Sequence, residues 1–357
     1  AGDAVDARHP PPDRARPAVS CFLRPATSRD LGALYELAKL TGGGFTNLPP
    51  DRNSLGLKLE RSAAALSREA DEHVDDLFVM VLENSETGQV RGTCQIFTMV
   101  GQHWPFYSYR LGTLTQHSQE LQRTFRADML TLSTDLEGAS EVGGLFLHPR
   151  ERAGGLGMLL ARSRYLFIKK HRGRFSNRTL AELRGVIDEA GGSPFWDGLA
   201  GKFFGMSFQE ADEFNATNGN QFIADLMPKH PIYIDMLPES ARAVIGVPHP
   251  SGRAAMRMLE HEGFAHDKYI DIFDGGPTMV APTDRIRSIM DAVESRVARI
   301  GAVDGERRLT TAGRLAGWRA AYAVMEPLGE GEVAIDPLGA ELLKVDVGDT
   351  IMHVGRT

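Results

Sequence analysis

A run in mid-chain carries the residue types of a phosphate cradle. Glu141-Val-Gly-Gly-Leu-Phe-Leu-His-Pro149 has the pattern of an apolar strand, Arg152-Ala-Gly-Gly-Leu-Gly157 that of a basic glycine turn, and Met158-Leu-Leu-Ala161 opens an apolar helix face. Such a turn lines up backbone N–H groups at a helix N-terminus, where the dipole favours anions. Glycine lets a phosphate approach the backbone closely. Two other phosphate loops are excluded. No Gly-Lys-Ser/Thr ending follows, and position 160 is Leu where G-x-G-x-x-G demands a third glycine. The competing reading is a glycine-rich connection with no ligand. Two histidines in proline-rich loops are the other chemical candidates: His249 in Val247-Pro-His-Pro250 and His230 in Met227-Pro-Lys-His-Pro231. Spacing alone reads each as a turn residue, because nothing pairs either with a nucleophile.

The elements that must hold these residues follow from periodicity and turn chemistry. A leader over 1–18, rich in Pro, Ala, Arg and Asp, is expected to be disordered and is no signal peptide. A strand is expected over 19–23, then a helix capped by Thr27 or Ser28, with Leu31, Leu34, Leu37, Ala38 and Leu40 on its apolar face and Gly42-Gly-Gly44 as its stop. A second helix is expected over 51–72 and a hairpin of strands over 77–82 and 90–100 around Ser85-Glu-Thr-Gly88. Strands over 107–115 and 129–136 lead to the strand at 141–149, and a helix follows to 170. Between 175 and 248 the rhythm breaks: a helix over 178–189, then an aromatic stretch (Phe195, Trp196, Phe203, Phe204, Phe208) that reads as core. Ala255, Met258 and Leu259 mark a helix stopped by Gly263, and a strand is expected over 269–273. From about 283 a helix, a polar linker and short strands over 332–335, 342–347 and 350–354 are expected.

Composition narrows the class. With 357 residues and a net charge of −7 without a basic tract, nucleic acid is not the expected partner. No stretch approaches the roughly 20 apolar residues of a membrane span. Cys21 and Cys94 are too few for a disulfide framework, and no Cys/His spacing fits zinc. A cytoplasmic protein without metal is the expectation.

Arg152-x-x-Gly155-x-Gly157 resembles the pyrophosphate loop of the GNAT superfamily of acyl-CoA N-acyltransferases, and the helix ending in Gly263-Phe264 followed by a strand resembles the closing unit of that fold. Longer runs resemble one family within it, arginine N-succinyltransferase. They are Thr41–Gly44 with Leu48-Pro49, Tyr109–Thr113, Ala181–Glu189 with Ser193–Trp196, Phe203–Phe208, Gln221–Tyr233, Val244–Gly246 leading to His249-Pro250, and Glu262–Phe264 to Asp271–Pro277. The resemblance spans roughly 22–278. It implies an α+β fold with a central, mostly antiparallel sheet flanked by helices. The acyltransferase domain would cover 19–282, with an insertion at about 175–248, and 283–357 would form a helical linker and small β subdomain.

The resemblance also implies a reaction: succinyl-CoA as co-substrate, with no permanently bound cofactor, plus L-arginine gives N2-succinyl-L-arginine and CoA, in arginine catabolism. A related amine such as ornithine, another acyl-CoA, or a non-catalytic partner subunit are the alternatives, and a homodimer or hetero-oligomer with a related subunit is implied. Carried over by position, Leu145 binds succinyl-CoA and His249 is the proton donor. The chain departs from the family at the extra proline of Val247-Pro-His-Pro250. It departs again at Gly143-Gly144, which predicts a flexible strand with a bulge. The neighbouring Phe146 and Leu147 and the turn residues Arg152, Gly155 and Gly157 complete the expected succinyl-CoA site. The acyl carboxylate calls for an arginine, with Arg110 and Arg184 as candidates. The substrate guanidinium calls for carboxylates, with Glu182, Asp188, Glu189, Asp271 and Asp274 available. Backbone N–H groups at Gly144–Phe146 could face the oxyanion if the strand splays from its neighbour.

Overall fold

A computed structural model describes residues 20–42, 45–152, 154–219 and 221–356; the expected leader and the Gly43-Gly44 part of the helix stop lie outside them. The strands are β1 (Cys21–Pro25), β2 (Leu77–Asn84), β3 (Val90–Phe97), β4 (Ser108–Ser118), β5 (Arg123–Ser133), β6 (Ser140–Leu147), β7 (Arg178–Glu182) and β8 (Ile232–Tyr233). The rest are β9 (Ala265–Ile270), β10 (Pro277–Pro282), β11 (Val293–Ile300), β12 (Glu306–Ala312), β13 (Arg319–Gly329), β14 (Glu332–Ile335) and β15 (Thr350–Val354). Among the described residues they join in the order β12-β15-β11-β14-β13-β1-β2-β3-β6-β7-β10-β9-β4-β5-β8.

Alternation along β2 sets the layers. Leu77, Val79 and Val81 pack with residues of α1 (Leu31–Lys39) and α2 (Arg52–Ser67), among them Leu34, Leu37, Leu55 and Leu59. Phe78, Met80 and Leu82 face the other way, onto Leu159, Leu160 and Phe167 of α3 (Leu156–Lys170). A strand buried on both faces must be apolar throughout, which is what Leu-Phe-Val-Met-Val-Leu supplies. Asp51 caps α2 by accepting from the Ser54 N–H at 2.7 Å. The helix expected to reach 72 ends at Ser67.

Three expected elements differ. Residues 178–182 form β7, not a helix. Leu-Ala-Glu-Leu-Arg has helical propensity, but Thr179, Leu180 and Ala181 are buried between β6 and β10, and tertiary context overrides propensity. The helix expected after 283 shrinks to Arg287–Asp291, and β11, β12 and β13 fill the stretch where a linker is expected. Val293, Val297 and Ile300 fall at helical spacing by coincidence, and Ala320, Ala321 and Ala323 favour helix in isolation. Their small size serves packing: a Cβ on Gly339 would lie 2.5 Å from that of Ala323. Residues 342–347, expected as strand, hold instead the end of a helix, Pro337–Leu343.

β13 lies beside β1, β12 and β14, so β12, β13, β14, β11 and β15 close a ring around their own apolar core. The aromatic stretch forms another core: Phe195, Trp196 and Phe208 are buried, and Trp196 stacks on Phe204 and Phe273. Phe203 is the exception and is exposed. Among the described residues no helix is long and apolar enough to cross a membrane.

Candidate active site

The sheet opens between β6 and β7. β6 pairs with β7 in parallel only at Ser140↔Thr179 and Glu141↔Leu180. Beyond that point the two strands diverge, and the backbone groups of 143–147 that point toward β7 have no strand partner there. On its other edge β6 pairs with β3 up to Gly92↔Leu147, with a register shift between Thr93 and Gln95. The pairings Thr93↔Phe146 and Gln95↔Gly143 leave two residues, Gly144 and Leu145, opposite Cys94 alone. This is the bulge that Gly143-Gly144 predicts. Gly144 sits at φ +56, and a Cβ there would meet the Gln95 side chain at 2.8 Å, so only glycine fits.

The glycine turn follows at once. His148 caps a short turn, its Nδ1 accepting from the Arg150 N–H at 3.2 Å, and Arg91 pairs with Glu151 at 2.9 Å. Gly154 (φ +73) and Gly155 (φ +79) take left-handed conformations, and α3 starts at Leu156. The first intrahelical donor is Leu159, whose N–H reaches the Gly155 carbonyl at 3.0 Å. The N–H groups of Leu156, Gly157 and Met158 therefore have no partner within the helix. A Cβ at Gly157 would meet no atom within 4 Å, whereas one at Gly155 would lie 3.2 Å from the Arg356 guanidinium and 3.3 Å from the Tyr322 hydroxyl. Gly155→Ala should thus strain the loop by about 1–2 kcal/mol and lower the melting temperature by a few degrees. Gly157→Ala should melt like the parent; melting curves check both.

His249 stands on the opposite arm, past the end of β7. Gly185 and Pro248 form an isolated antiparallel bridge, and the His249 N–H donates to the Arg184 carbonyl at 2.7 Å. The bridge uses the N–H of residue 249, so the extra proline at 248 removes no hydrogen bond. Pro250 occupies the first position of the next turn. The ring's Nδ1 accepts from the Ser251 N–H at 3.2 Å and lies 2.7 Å from the Ser251 hydroxyl. The neutral ring then carries its proton on Nε2, the tautomer that donates. Partial burial, aided by the Arg184 charge, lowers its pKa, so it is neutral at pH 7.

Carboxyls crowd the mouth of the fork. Asp274 accepts from Gly185 and Gly276 N–H, each at 2.8 Å, and Asp271 from Phe273 and Asp274 N–H at 2.7 and 2.9 Å. Burial and the facing Asp274 push Asp271 up to about 8, and burial also raises Asp274. The Glu182 side chain meets solvent yet lies deep between packed elements. Crowding by protein, with Asp271, Glu141 and Asp274, raises its carboxyl, and open access to water moderates that push. Glu141 is buried at the point where the strands part; burial drives it up to about 7 against the opposing pull of Asn47, Lys58 and Arg164. Arg184 faces this ring, its buried Nε without a partner among the described residues.

The structure thus brings Leu145, Phe146, Leu147, Gly155, Gly157, Arg184, Glu182, Asp271, Asp274 and His249 to the fork and its loop, with Arg152 exposed at the turn. It does not bring Arg110, which is exposed on β4 and paired with Asp135 at 3.2 Å; β10, β9 and the sheet spacing separate it from β7. Asp188 closes a surface turn by accepting from Ala190 and Gly192 N–H, Glu189 is exposed, and so is His230. Glu141 is not among the candidates named from the sequence, although it carries a signal there as the single charge in an apolar strand. Lys58, whose ammonium donates to Gln95 at 3.2 Å, carries no comparable signal.

Helices on both faces of a mixed sheet, a bulged strand that parts from its parallel neighbour and a glycine turn opening a helix define a GNAT-type acyl-CoA N-acyltransferase. The chain belongs to the arginine N-succinyltransferase family: the family described as arginine N-succinyltransferase beta subunit matches residues 21–288. A Citrobacter koseri protein named arginine N-succinyltransferase is 46% identical over 281 residues, 77% of this chain and 81% of that one. The protein of that name from Salmonella paratyphi B is 47% identical over 267 residues, 75% and 77% of the two chains. Among solved structures, arginine/ornithine succinyltransferase subunit AI from Pseudomonas aeruginosa is similar over 95% of this chain and 99% of its own, at 32% identity and a TM-score of 0.87.

Proposed function

We propose that the chain transfers the succinyl group of succinyl-CoA to the α-amine of L-arginine, giving N2-succinyl-L-arginine and CoA in arginine catabolism, by direct attack within a ternary complex. The fork carries this reading: an open strand edge with a phosphate-type turn at one end and a histidine and carboxyls at the other. The donor's phosphates lie on the Gly154–Met158 turn, and the thioester lies along the bulged edge at Leu145–Leu147, where free N–H groups meet the developing oxyanion. Arg184 takes the succinyl carboxylate. Glu182, Asp271 and Asp274 face the substrate guanidinium.

An α-amine, with a pKa of about 8, arrives protonated and must lose a proton before it can attack. Glu141 is the carboxyl suited to take it, because a base held at about 7 is ionised in about half of the molecules at neutral pH. His249 donates an Nε2–H hydrogen bond that stabilises the departing thiolate; the nitrogen loses one proton to Glu141 before attack and a second as the amide forms, the CoA thiol takes up one of the two, and one is released to solvent. A covalent acyl-enzyme has no support: Cys94 and Cys21 are buried and unpaired, their thiols pushed up by burial to about 12 and about 11. Free, buried thiols also fit a reducing, cytoplasmic setting.

The name of the Pseudomonas aeruginosa relative favours a second reading, in which ornithine is also accepted and the chain works beside a related subunit. Thiol release from succinyl-CoA with arginine, ornithine, lysine or water separates the two. Faster release with arginine than with water supports the enzyme, and equal rates with ornithine broaden the acceptor. Water-level release with every amine overturns the enzyme reading.

A further inference from the structure

The C-terminal strands reach back to the glycine turn. Tyr322 on β13 donates its hydroxyl hydrogen to the Gly155 carbonyl at 2.9 Å. Two guanidiniums lie over its ring: that of Arg307 of β12 at 4.6 Å and that of Arg356, just past β15, at 5.6 Å from the ring centre. Arg162, buried on α3, fixes this end of the chain; its Nη1 donates to the Gly355 and Arg356 carbonyls, both at 2.8 Å, while its Nε donates to Glu262 and Ser288, both at 3.0 Å. Among the described residues neither Arg307 nor Arg356 has a carboxylate partner, although Asp and Glu outnumber Lys and Arg by 47 to 40. Two like charges sharing one aromatic ring repel each other, and an anion between them removes that repulsion. The neighbouring turn is where the donor's phosphates are placed, and its Gly155 Cβ position is 3.2 Å from Arg356. Both arginines lie beyond residue 288, where the family match ends.

We propose that Arg307 and Arg356 form a clamp for phosphate groups of the CoA donor, so that the C-terminal strands complete the donor site. This rests on the acyl-CoA reading. Tyr322 positions the clamp by holding the turn and backing both guanidiniums, whose planar forks suit phosphate oxygens.

Calorimetric titration of the full chain with CoA and with 3′-dephospho-CoA tests the clamp in wild type, Arg307→Gln, Arg356→Gln and the double variant, with melting curves confirming the fold. Each substitution should weaken CoA about tenfold. If the 3′-phosphate is the group held, dephospho-CoA binds wild type weakly and the substitutions weaken it no further. If the pyrophosphate is held, the substitutions weaken both ligands alike. A folded double variant that binds CoA as tightly as wild type overturns the clamp while leaving the donor reading intact. A wild type that does not bind CoA overturns both.

Discussion

His249→Ala is expected to lower kcat by about two to four orders of magnitude while leaving CoA affinity nearly intact. The backbone bond from His249 to Arg184 at 2.7 Å does not involve the side chain, so the turn keeps its main anchor. What disappears is the Nε2–H donor and the cap that Nδ1 provides to the Ser251 N–H. His249→Asn separates the two, because asparagine is a good cap but does not reproduce the imidazole proton chemistry. The asparagine variant should regain stability without regaining kcat. Stopped-flow thiol release and CoA titration on both variants check this, and an unchanged kcat removes His249 from the mechanism.

Glu141→Gln is expected to cost a comparable factor in kcat and to change the shape of the pH profile. The parent's kcat/KM should fall below about pH 7, where the Glu141 carboxyl gains its proton, and the variant should lose that limb. Stability moves the other way. The folded state holds the Glu141 proton up to about 7, whereas an unfolded glutamate releases it near its ordinary value of 4.5. Between those values the native state binds more protons than the unfolded chain, so stability is lost as pH rises through the window. Each tenfold displacement of the equilibrium is worth about 1.4 kcal/mol. Glu141→Gln removes this loss and should melt at a higher temperature than the parent above pH 7 while turning over far more slowly. A variant that is inactive because it is unfolded shows the opposite melting behaviour, so denaturation curves at pH 5 and pH 8 distinguish the cases. Parent-like turnover with parent-like pH dependence excludes Glu141 as the base.

The parts of the site that are local in sequence were legible before the structure. The glycine turn, the helix behind it and the bulge at Gly143-Gly144 depend on glycine conformations and short-range periodicity, which the residues state directly. His249 was reachable only through family resemblance, since its relation to the fork depends on the bridge between Gly185 and Pro248, sixty-three residues apart. β7 departs from the expected helix because a central strand can be built from helix-favouring residues when its neighbours bury them. The C-terminal strands depart for a related reason. Ala321, Ala323 and Val297 take their meaning from the core they share with the helix Pro337–Leu343, and Ala320 from the core it shares with α3. Arg110 shows the converse failure: it lies in a matched run and carries the right charge, yet three strand spacings and an ion pair with Asp135 keep it from the fork.

The central claim is that this fork joins a succinyl group to the α-nitrogen of arginine. NMR of the product formed from succinyl-CoA and 15N-labelled arginine tests it most directly. The account predicts an amide on the α-nitrogen with the guanidinium unmodified, formed one-for-one with free CoA. An amide on the guanidinium, or free CoA accumulating without any amide, would contradict it.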